Sequence, residues 1–450
     1  MDLADQMAQL AHGLSWADIP ASVQERARDR LLDALSTAAG AASLSMPVRQ
    51  AARAAMPSTG SGPATVVGET GGSASEAAAF VNAVGAHSLL YEDVCLASSD
   101  HPGPVICAAA LAAAEERDVS LERLLVAIVA GYNTQLILGE IGAEPAIARG
   151  FRTTSVFGVV GAAAAAATVF GLDLAQYTSA LGLAANGAGG LMEAWAHGTW
   201  EPYLHAGFAA SAGIVCARLA EVGTVAAPTS FNGRSGYLKA YMGPEVAAPE
   251  ELRQTWPILE VSCKPYPISG AKTTTVDSAL ALVETVRAQP GGYDPSTITR
   301  IVASMPLGAI APAGCDRVAP FANATQAQDS APFCVAAALA GKDMSDLATF
   351  FGEYADPLVA DLTHRIELVG DPERALGRLE VHVADGTVHE AEVDARQNQV
   401  PSTDSMGRKV GILGRELWER EAIDRIVAVV TGPTDIASST ISDALREVRT

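Results

Sequence analysis

The sequence predicts a mainly α protein, in which a large all-helical region carries a smaller α+β region. Hydrophobic residues make up 49% of the 450 residues but aromatic residues only 5%, so the apolar content is mostly alanine, leucine and valine. That composition favours close-packed helices. Helical periodicity dominates up to about residue 245, and strand-like alternation begins only after about residue 257. We therefore expect a helical domain from residues 1–256 and 401–450, and an α+β domain from residues 257–400.

Turn signals delimit the helices that carry the first polar segment. Residues 73–76, SASE, have the form of a capping box ahead of an apolar stretch, which predicts that His87 lies on a helix. Asp93 then falls near the C-terminal end of that helix. Pro102 and Pro104 break the chain before the next helix, so His101 is expected just outside its N-terminus.

An uncharged run at residues 153–172 is long enough to span a bilayer. Alanine and glycine dominate it, and such helices also pack tightly inside bundles, so we predict a buried helix and no membrane partner.

Strand signals are confined to the second region. After a helix at about residues 274–289, the stretch ITRIVASM is predicted to be a strand. Residues 379–393 alternate around an Asp-Gly turn, which predicts a hairpin. Helical patterns return in the last 50 residues or so, and we expect these to rejoin the helical body.

Charge and motifs exclude several functional classes. Thirty Lys plus Arg against 51 Asp plus Glu give a net charge of −21 without a basic stripe, which argues against a nucleic-acid partner. The glycine-rich stretches lack phosphate-binding spacing, so no nucleotide cofactor is expected. Six scattered cysteines show no zinc-site spacing, which predicts reduced thiols and no metal. The acidic N-terminus lacks the pattern of a secretion signal, so a cytoplasmic location is expected.

Four short polar segments interrupt the apolar pattern and supply the candidate site residues. Cations and hydroxyl groups near a helix N-terminus, as in the second segment, favour the binding of a carboxylate. Each segment also has a structural interpretation: solvated acids at Glu92 and Asp93, packed histidines at positions 87 and 205, a surface ion pair of Arg152, or a turn capped by Lys264. The candidates are Asp93 and His101, then Arg152, Thr153 and Ser155, then His205, and finally Lys264 and Tyr266.

Taken in order, these segments resemble the MmgE/PrpD family, whose members include 2-methylcitrate dehydratase, cis-aconitate decarboxylase and iminodisuccinate epimerase. The resemblance rests on AHSLLYEDV, HPGPV, LLVAIVAGYN, RGF with the alanine-rich GVVGAAAAAATVFGLD, LHAGFAASAG, and KPYP followed by VDSALAL. It implies a large all-helical domain built from both termini, a smaller α+β lid domain, a homodimer, and a cofactor-free site between the domains.

The resemblance also assigns roles to individual residues. Asp93 and His101 match an aspartate and a histidine that line the family's active site, and Lys264 matches the lysine of its K-x-Y-P loop. We therefore predict that His101 is the acid/base and that Asp93 orients it or supplies a second proton relay. Lys264 and Arg152 are predicted to bind the anionic part of a small substrate, with Tyr266, His205, Thr153 and Ser155 as further substrate contacts.

Three positions depart from the family pattern. Arg152 stands where the family has a histidine implicated in proton transfer, Pro202 replaces a lysine, and Thr273 replaces another histidine. Arginine cannot act as a base near neutral pH, although it binds carboxylates well. These departures leave three functions open: a cofactor-independent, dehydratase-like lyase; an isomerase, epimerase or cyclase of a specialised biosynthetic pathway; and a non-catalytic dimer that binds a metabolite.

Overall fold

The structure is a computed structural model, and it describes residues 1–56, 60–290, 292–352, 354–373, 376–393 and 403–449. It is mainly α-helical, with small sheets, as the sequence predicted. The chain divides into two compact units. The first comprises Met1–Met192, Trp200–Cys263 and Pro401–Thr450; the second comprises Glu193–Thr199 and Lys264–Val400.

The division between the units differs in detail from the predicted domain boundary. Residues 257–263 belong to the first unit, because Ser262 and Cys263 pair with Val94 and Asp93 in a short antiparallel ladder. Residues 193–199 belong to the second unit. The predicted boundary at residue 400 lies outside the described residues.

Helices dominate the first unit, and their small residues allow close packing. A Cβ atom at Gly213 would lie 2.4 Å from the Cβ of Ala162, and one at Gly161 would lie 2.8 Å from the carbonyl oxygen of Gly131. The alanine-rich helix is therefore in contact with its neighbours nearly backbone to backbone. The elements of this unit are α1 (Leu3–His12), α2 (Ala21–Ser43), α3 (Pro47–Ala55), β1 (Ala64–Thr65), β2 (Gly72–Ser73), α4 (Ser75–Ser88), β3 (Asp93–Val94), α5 (Pro102–Arg117), α6 (Leu121–Ala148), α7 (Thr153–Val156), α8 (Gly158–Phe170), α9 (Leu174–Asn186), α11 (Glu201–Glu221), β4 (Ser262–Cys263), α18 (Thr403–Gly414), α19 (Arg420–Thr431) and α20 (Ser439–Arg446).

Among the described residues, three helical stretches are long and apolar enough to cross a membrane: Leu121–Ala148, Thr153–Phe170 and Glu201–Glu221. Their most apolar windows are 89%, 94% and 61% buried within the protein itself. The predicted burial of the alanine-rich run is therefore confirmed.

The second unit combines a four-stranded sheet with short helices. The strand order is β6-β5-β7-β8, with β5 parallel to β6 and the other neighbours antiparallel. The predicted hairpin is confirmed: β7 and β8 pair across a turn in which Gly386 has a φ of 90°, a value that suits glycine. The elements are α10 (Ala194–His197), α12 (Thr273–Arg287), β5 (Ile298–Pro306), α13 (Leu307–Ile310), α14 (Ala324–Asp329), α15 (Ala331–Leu339), α16 (Leu347–Phe351), α17 (Pro357–Thr363), β6 (Ile366–Asp371), β7 (Arg378–Val383) and β8 (Val388–Glu392).

Two local predictions in the first unit were wrong. Ser73 does not cap α4; it pairs with Ala64 in β2, and the N-cap of α4 is Ala74, without a side-chain cap. Asp93 does not lie at the end of α4, because that helix stops at Ser88 and the chain turns into β3. The prediction of reduced thiols is confirmed, since all six cysteines are free and buried.

Candidate active site

The first polar segment forms a loop between α4 and α5 in which Glu92, Asp93 and Asp100 are buried. The loop is fixed by the β3–β4 pairing and by a second bridge, in which Cys95 and Asp100 exchange backbone hydrogen bonds of 2.9 and 3.2 Å. Leu90 and Ser99 adopt φ values of 53° and 51°. Such left-handed conformations are costly for residues other than glycine and concentrate at functional sites.

His87, Glu92 and His101 come together in this loop to form what we call the histidine–glutamate cluster. The Nδ1 atoms of His87 and His101 lie 3.2 and 3.0 Å from the same oxygen, Oε1 of Glu92. The side chains of His87 and Glu92 are 0% exposed, whereas that of His101 is 14% exposed. His101 is therefore the member of the cluster that reaches the protein surface.

The contacts of His101 define where its proton lies. Its Nδ1 is 2.8 Å from the carbonyl oxygen of Asp93, besides its contact with Glu92. Both partners are hydrogen-bond acceptors, so Nδ1 must carry the proton. In the neutral ring, Nε2 then holds the basic lone pair.

Arg152 lies next to the cluster and is 4% exposed. It is the N-cap of α7, and its Nη2 lies 2.6 Å from Nε2 of His87. Its backbone N–H donates to the carbonyl oxygen of Gly190. The interpretation of Arg152 as a member of a surface ion pair is therefore wrong.

The buried carboxylate of Asp93 fixes the loop that carries the cluster. Its carboxylate accepts hydrogen bonds from the backbone N–H of Gly103 at 2.9 Å and from the hydroxyl of Tyr132 at 2.6 Å, and Nη1 of Arg30 lies 3.8 Å away. Asp93 and Arg30 are both 0% exposed. Burial raises the pKa of Asp93 to about 6 against the opposing effect of Arg30.

Asp93 thus contacts His101 through its main-chain carbonyl, while the carboxylate that faces the imidazole belongs to Glu92. The sequence suggested only that Glu92, like Asp93, could be a solvated acid. That interpretation is wrong for both residues, since neither has any exposed surface. The position of Glu92 in the YEDV motif could have marked it as a site residue. For Arg30 and Tyr132, the helical pattern indicated only that they lie on buried helix faces.

Two further titratable groups are close to Arg152. Burial raises the pKa of Asp100 to about 7, and Arg152 opposes this shift. Burial also lowers the pKa of His205, on α11, to about 4, and the charge of Arg152 adds to this shift. His205 is therefore a neutral imidazole at physiological pH.

The hydroxyl groups predicted to bind substrate make internal hydrogen bonds. Thr153 donates to the carbonyl oxygen of Ser99 at 2.6 Å, and Ser155 lies 3.4 Å from the carbonyl oxygen of His205. The hydroxyl of Thr154 accepts the backbone N–H of His101 at 3.2 Å. In this structure these side chains connect α7 to the loop and to α11.

Lys264 and Tyr266 belong to the second unit. Lys264 is 3% exposed, and the phenol of Tyr266 donates to Oδ1 of Asp277 at 2.9 Å. The predicted roles of both residues in substrate binding stay predictions.

The donor types and spacing of the histidine–glutamate cluster also match those of a metal site, since the three ligand atoms lie within 4.8 Å of one another. The hydrogen bonds oppose that use. A metal would need the Nδ1 lone pair of His101, where the two acceptors require a proton. The arrangement therefore fits a protonated Nδ1 on His101 better than a metal ligand at that atom.

Fold and site together define a mainly helical protein in which two histidines and a glutamate form a largely buried cluster. Residues 5–250 match the MmgE/PrpD N-terminal domain, and residues 266–409 match the MmgE/PrpD C-terminal domain. The chain therefore belongs to the MmgE/PrpD family, as the sequence motifs indicated.

A curated relative is the "Cis-aconitate decarboxylase-like protein oryM" of Aspergillus oryzae. The two proteins are 34% identical over 230 residues, which cover 49% of this chain and 47% of the relative. The chain thus matches about half the length of that protein.

Proposed function

We propose that this protein is a cofactor-independent, dehydratase-like lyase that transfers a proton at the carbon next to a carboxylate or carbonyl of a small organic acid. The observation that carries this proposal is the contact of His101 Nδ1 with Glu92 Oε1 and with the Asp93 carbonyl oxygen, at 3.0 and 2.8 Å. Membership of the MmgE/PrpD family and the name of the decarboxylase-like relative also support it.

In the proposed reaction, Nε2 of His101 is the base that removes the proton. Glu92 stabilises the imidazolium that forms, because its carboxylate lies against the protonated Nδ1. The electron pair left on carbon is delocalised into the neighbouring carboxylate or carbonyl. His101 then returns the proton to the departing hydroxyl group, so that water leaves and a double bond forms.

Arg152 is proposed to bind the substrate carboxylate. Its guanidinium is permanently charged and buried beside the cluster, and arginine makes fork-shaped pairs with carboxylates. Lys264 remains the proposed second cation, on the basis of its motif. A homodimer, an anionic small-molecule substrate and a cytoplasmic location complete the proposal.

The experiment is incubation of the purified protein in D₂O with citrate, 2-methylcitrate, cis-aconitate and iminodisuccinate, followed by proton NMR. Loss of water, loss of CO₂, or exchange of a carbon-bound proton that disappears in His101→Ala supports the proposal. Inversion at carbon without loss of a group would instead assign an epimerase. Binding of an acid without any exchange would assign a metabolite-binding protein.

A further inference from the structure

The contact between Arg152 and His87 restricts the protonation of His87. Arg152 is a permanent donor and cannot accept a hydrogen bond. With Nη2 at 2.6 Å from His87 Nε2, that ring nitrogen must present its lone pair. The proton of the neutral ring therefore lies on Nδ1, which faces Oε1 of Glu92 at 3.2 Å.

The surroundings of His87 also keep it neutral. The ring is 0% exposed and is surrounded by Glu92, Arg152, the ring of His101 at 5.0 Å and the ring of Tyr203 at 5.9 Å. Burial, with a contribution from Arg152 and His101 against that of Glu92, lowers its pKa to about 3. A cationic His87 would direct an N–H group at the guanidinium.

We propose that Arg152 and His87 are positioning residues that form a tautomer lock on Glu92. Arg152 fixes the proton of His87 on Nδ1, and that N–H group lies 3.2 Å from Glu92 Oε1, the same oxygen that contacts His101 Nδ1. Arg152 donates to Nε2 of His87, the Nδ1–H groups of His87 and His101 both point to the acceptor Oε1 of Glu92, and the basic lone pair is left on Nε2 of His101. No proton moves through Arg152 or His87 in this scheme.

This role gives a physical reason for an arginine at position 152, where the family motif has a histidine. A histidine there could accept or donate, so it could not impose one tautomer on His87, whereas an arginine can only donate. The importance of the lock for turnover rests on the proposed function of His101. The lock itself is independent of any substrate.

The test is a long-range proton–nitrogen NMR spectrum of histidine side chains in the full-length protein, labelled with ¹⁵N-histidine, between pH 5 and 8. We expect one neutral histidine with its proton on Nδ1 that does not titrate, assigned to His87 by its loss in His87→Gln. Arg152→Lys, which keeps a cationic donor, should preserve that pattern. Arg152→Met should lose it, and His87 should then populate the Nε2–H form.

Arg149→Met is the matched control. Arg149 is an exposed arginine three residues earlier, and it donates to the carbonyl oxygen of Ala240. This variant should leave the His87 resonances unchanged, and circular dichroism confirms that each variant is folded.

If Arg152→Met does not fold, the spectrum of the unsubstituted protein still tests the tautomer lock. A proton on Nε2 of His87, a His87 that titrates between pH 5 and 8, or zinc-dependent shifts of both Nδ1 atoms at stoichiometric Zn²⁺ would each overturn the lock. An intact lock in a protein that turns over none of the acids would reject the proposed function alone.

Discussion

Within the histidine–glutamate cluster, exposure and hydrogen bonding separate the roles of the three side chains. His101 is partly exposed, and its Nδ1 lies against two acceptors, Glu92 Oε1 and the Asp93 carbonyl oxygen. His87 and Glu92 are fully buried and can act only through their neighbours. In the proposed function His101 is therefore the catalytic group, and the other two residues set its orientation and proton affinity.

Replacement of Glu92 tests most selectively whether this residue supports His101 in the proposed reaction. Glu92→Gln keeps the shape of the side chain but removes the charge that stabilises the imidazolium of His101. We expect kcat for the responding acid to fall by about 10²-fold, with little change in KM, in steady-state assays.

The matched control is Glu76→Gln, on α4, where the carboxylate pairs with Arg218 at the surface. It should retain the full rate. Equal rates for Glu92→Gln and the unsubstituted protein would remove Glu92 from the mechanism.

Asp100 should make stability depend on pH. Burial raises the pKa of its carboxyl group to about 7 in the folded protein, from the ordinary value of 3.8. Between pH 3.8 and pH 7 the folded protein therefore binds more protons than the unfolded chain. Rising pH therefore lowers the free energy of unfolding, by up to ~1.4 kcal/mol per pH unit. Asn at position 100 has no charge to bury. The Tm of Asp100→Asn minus the Tm of the unsubstituted protein should therefore be larger at pH 8 than at pH 5.

Thermal unfolding of both proteins at the two pH values measures this effect. A Tm difference that is the same at pH 5 and pH 8 would show that Asp100 does not titrate in the folded protein.

The sequence could indicate His101 and Asp93 as site residues but could not say which acid faces the imidazole. Glu92 and Asp93 are adjacent, and in an extended segment adjacent side chains point in opposite directions. Only the pairing of Asp93 with Cys263, 170 positions along the chain, fixes which of the two points toward His101. Such a long-range contact leaves no local pattern in the sequence.

At the scale of elements, the N-terminus of α5 determines where His101 lies. His101 is the N-cap, and Gly103, the second residue of α5, donates its N–H to Asp93. A Cβ atom at position 103 would lie 2.6 Å from Oδ1 and 2.9 Å from Cγ of Asp93. The absence of a side chain at Gly103 thus allows the carboxylate to bind the helix end.

Gly103→Ala should therefore displace Asp93, whose carboxylate Tyr132 also holds. We expect a loss of about 1–3 kcal/mol in the free energy of unfolding and a larger fractional loss of activity, measured by denaturant unfolding and by the assay of the responding acid. Gly189→Ala is the control, because a Cβ atom there meets nothing within 4 Å. Equal behaviour of the two variants would contradict the account.

The positions of helices and strands were predictable from the sequence where proline, glycine and periodicity agreed. Examples are helix α5 and the β7–β8 hairpin. The capping box at Ser73 failed because the same residue is needed for the pairing of β1 with β2. Local capping and strand pairing compete for a serine, and the sequence alone does not show which interaction wins.

At the scale of the whole molecule, the chain carries a formal net charge of −21. An anionic substrate must therefore be attracted by individual groups such as Arg152 and not by the overall field. Pro202, in the place where the family motif has a lysine, removes one cation, and we therefore propose a substrate with fewer carboxylates than citrate.

The homodimer proposed from the family is testable without a substrate. Light scattering after size-exclusion chromatography should give about twice the chain mass of 46.2 kDa. A mass equal to that of one chain at all concentrations would contradict the proposal.

The central claim is that Nε2 of His101 exchanges a proton with the carbon next to a substrate carboxylate or carbonyl. The most direct measurement is the rate at which that carbon takes up deuterium from D₂O in the His101→Ala variant, with and without added imidazole. The account predicts that exchange is lost in the variant and is partly restored by imidazole, while His12→Ala, at an exposed histidine, exchanges at the full rate. Exchange at the full rate in folded His101→Ala would contradict it.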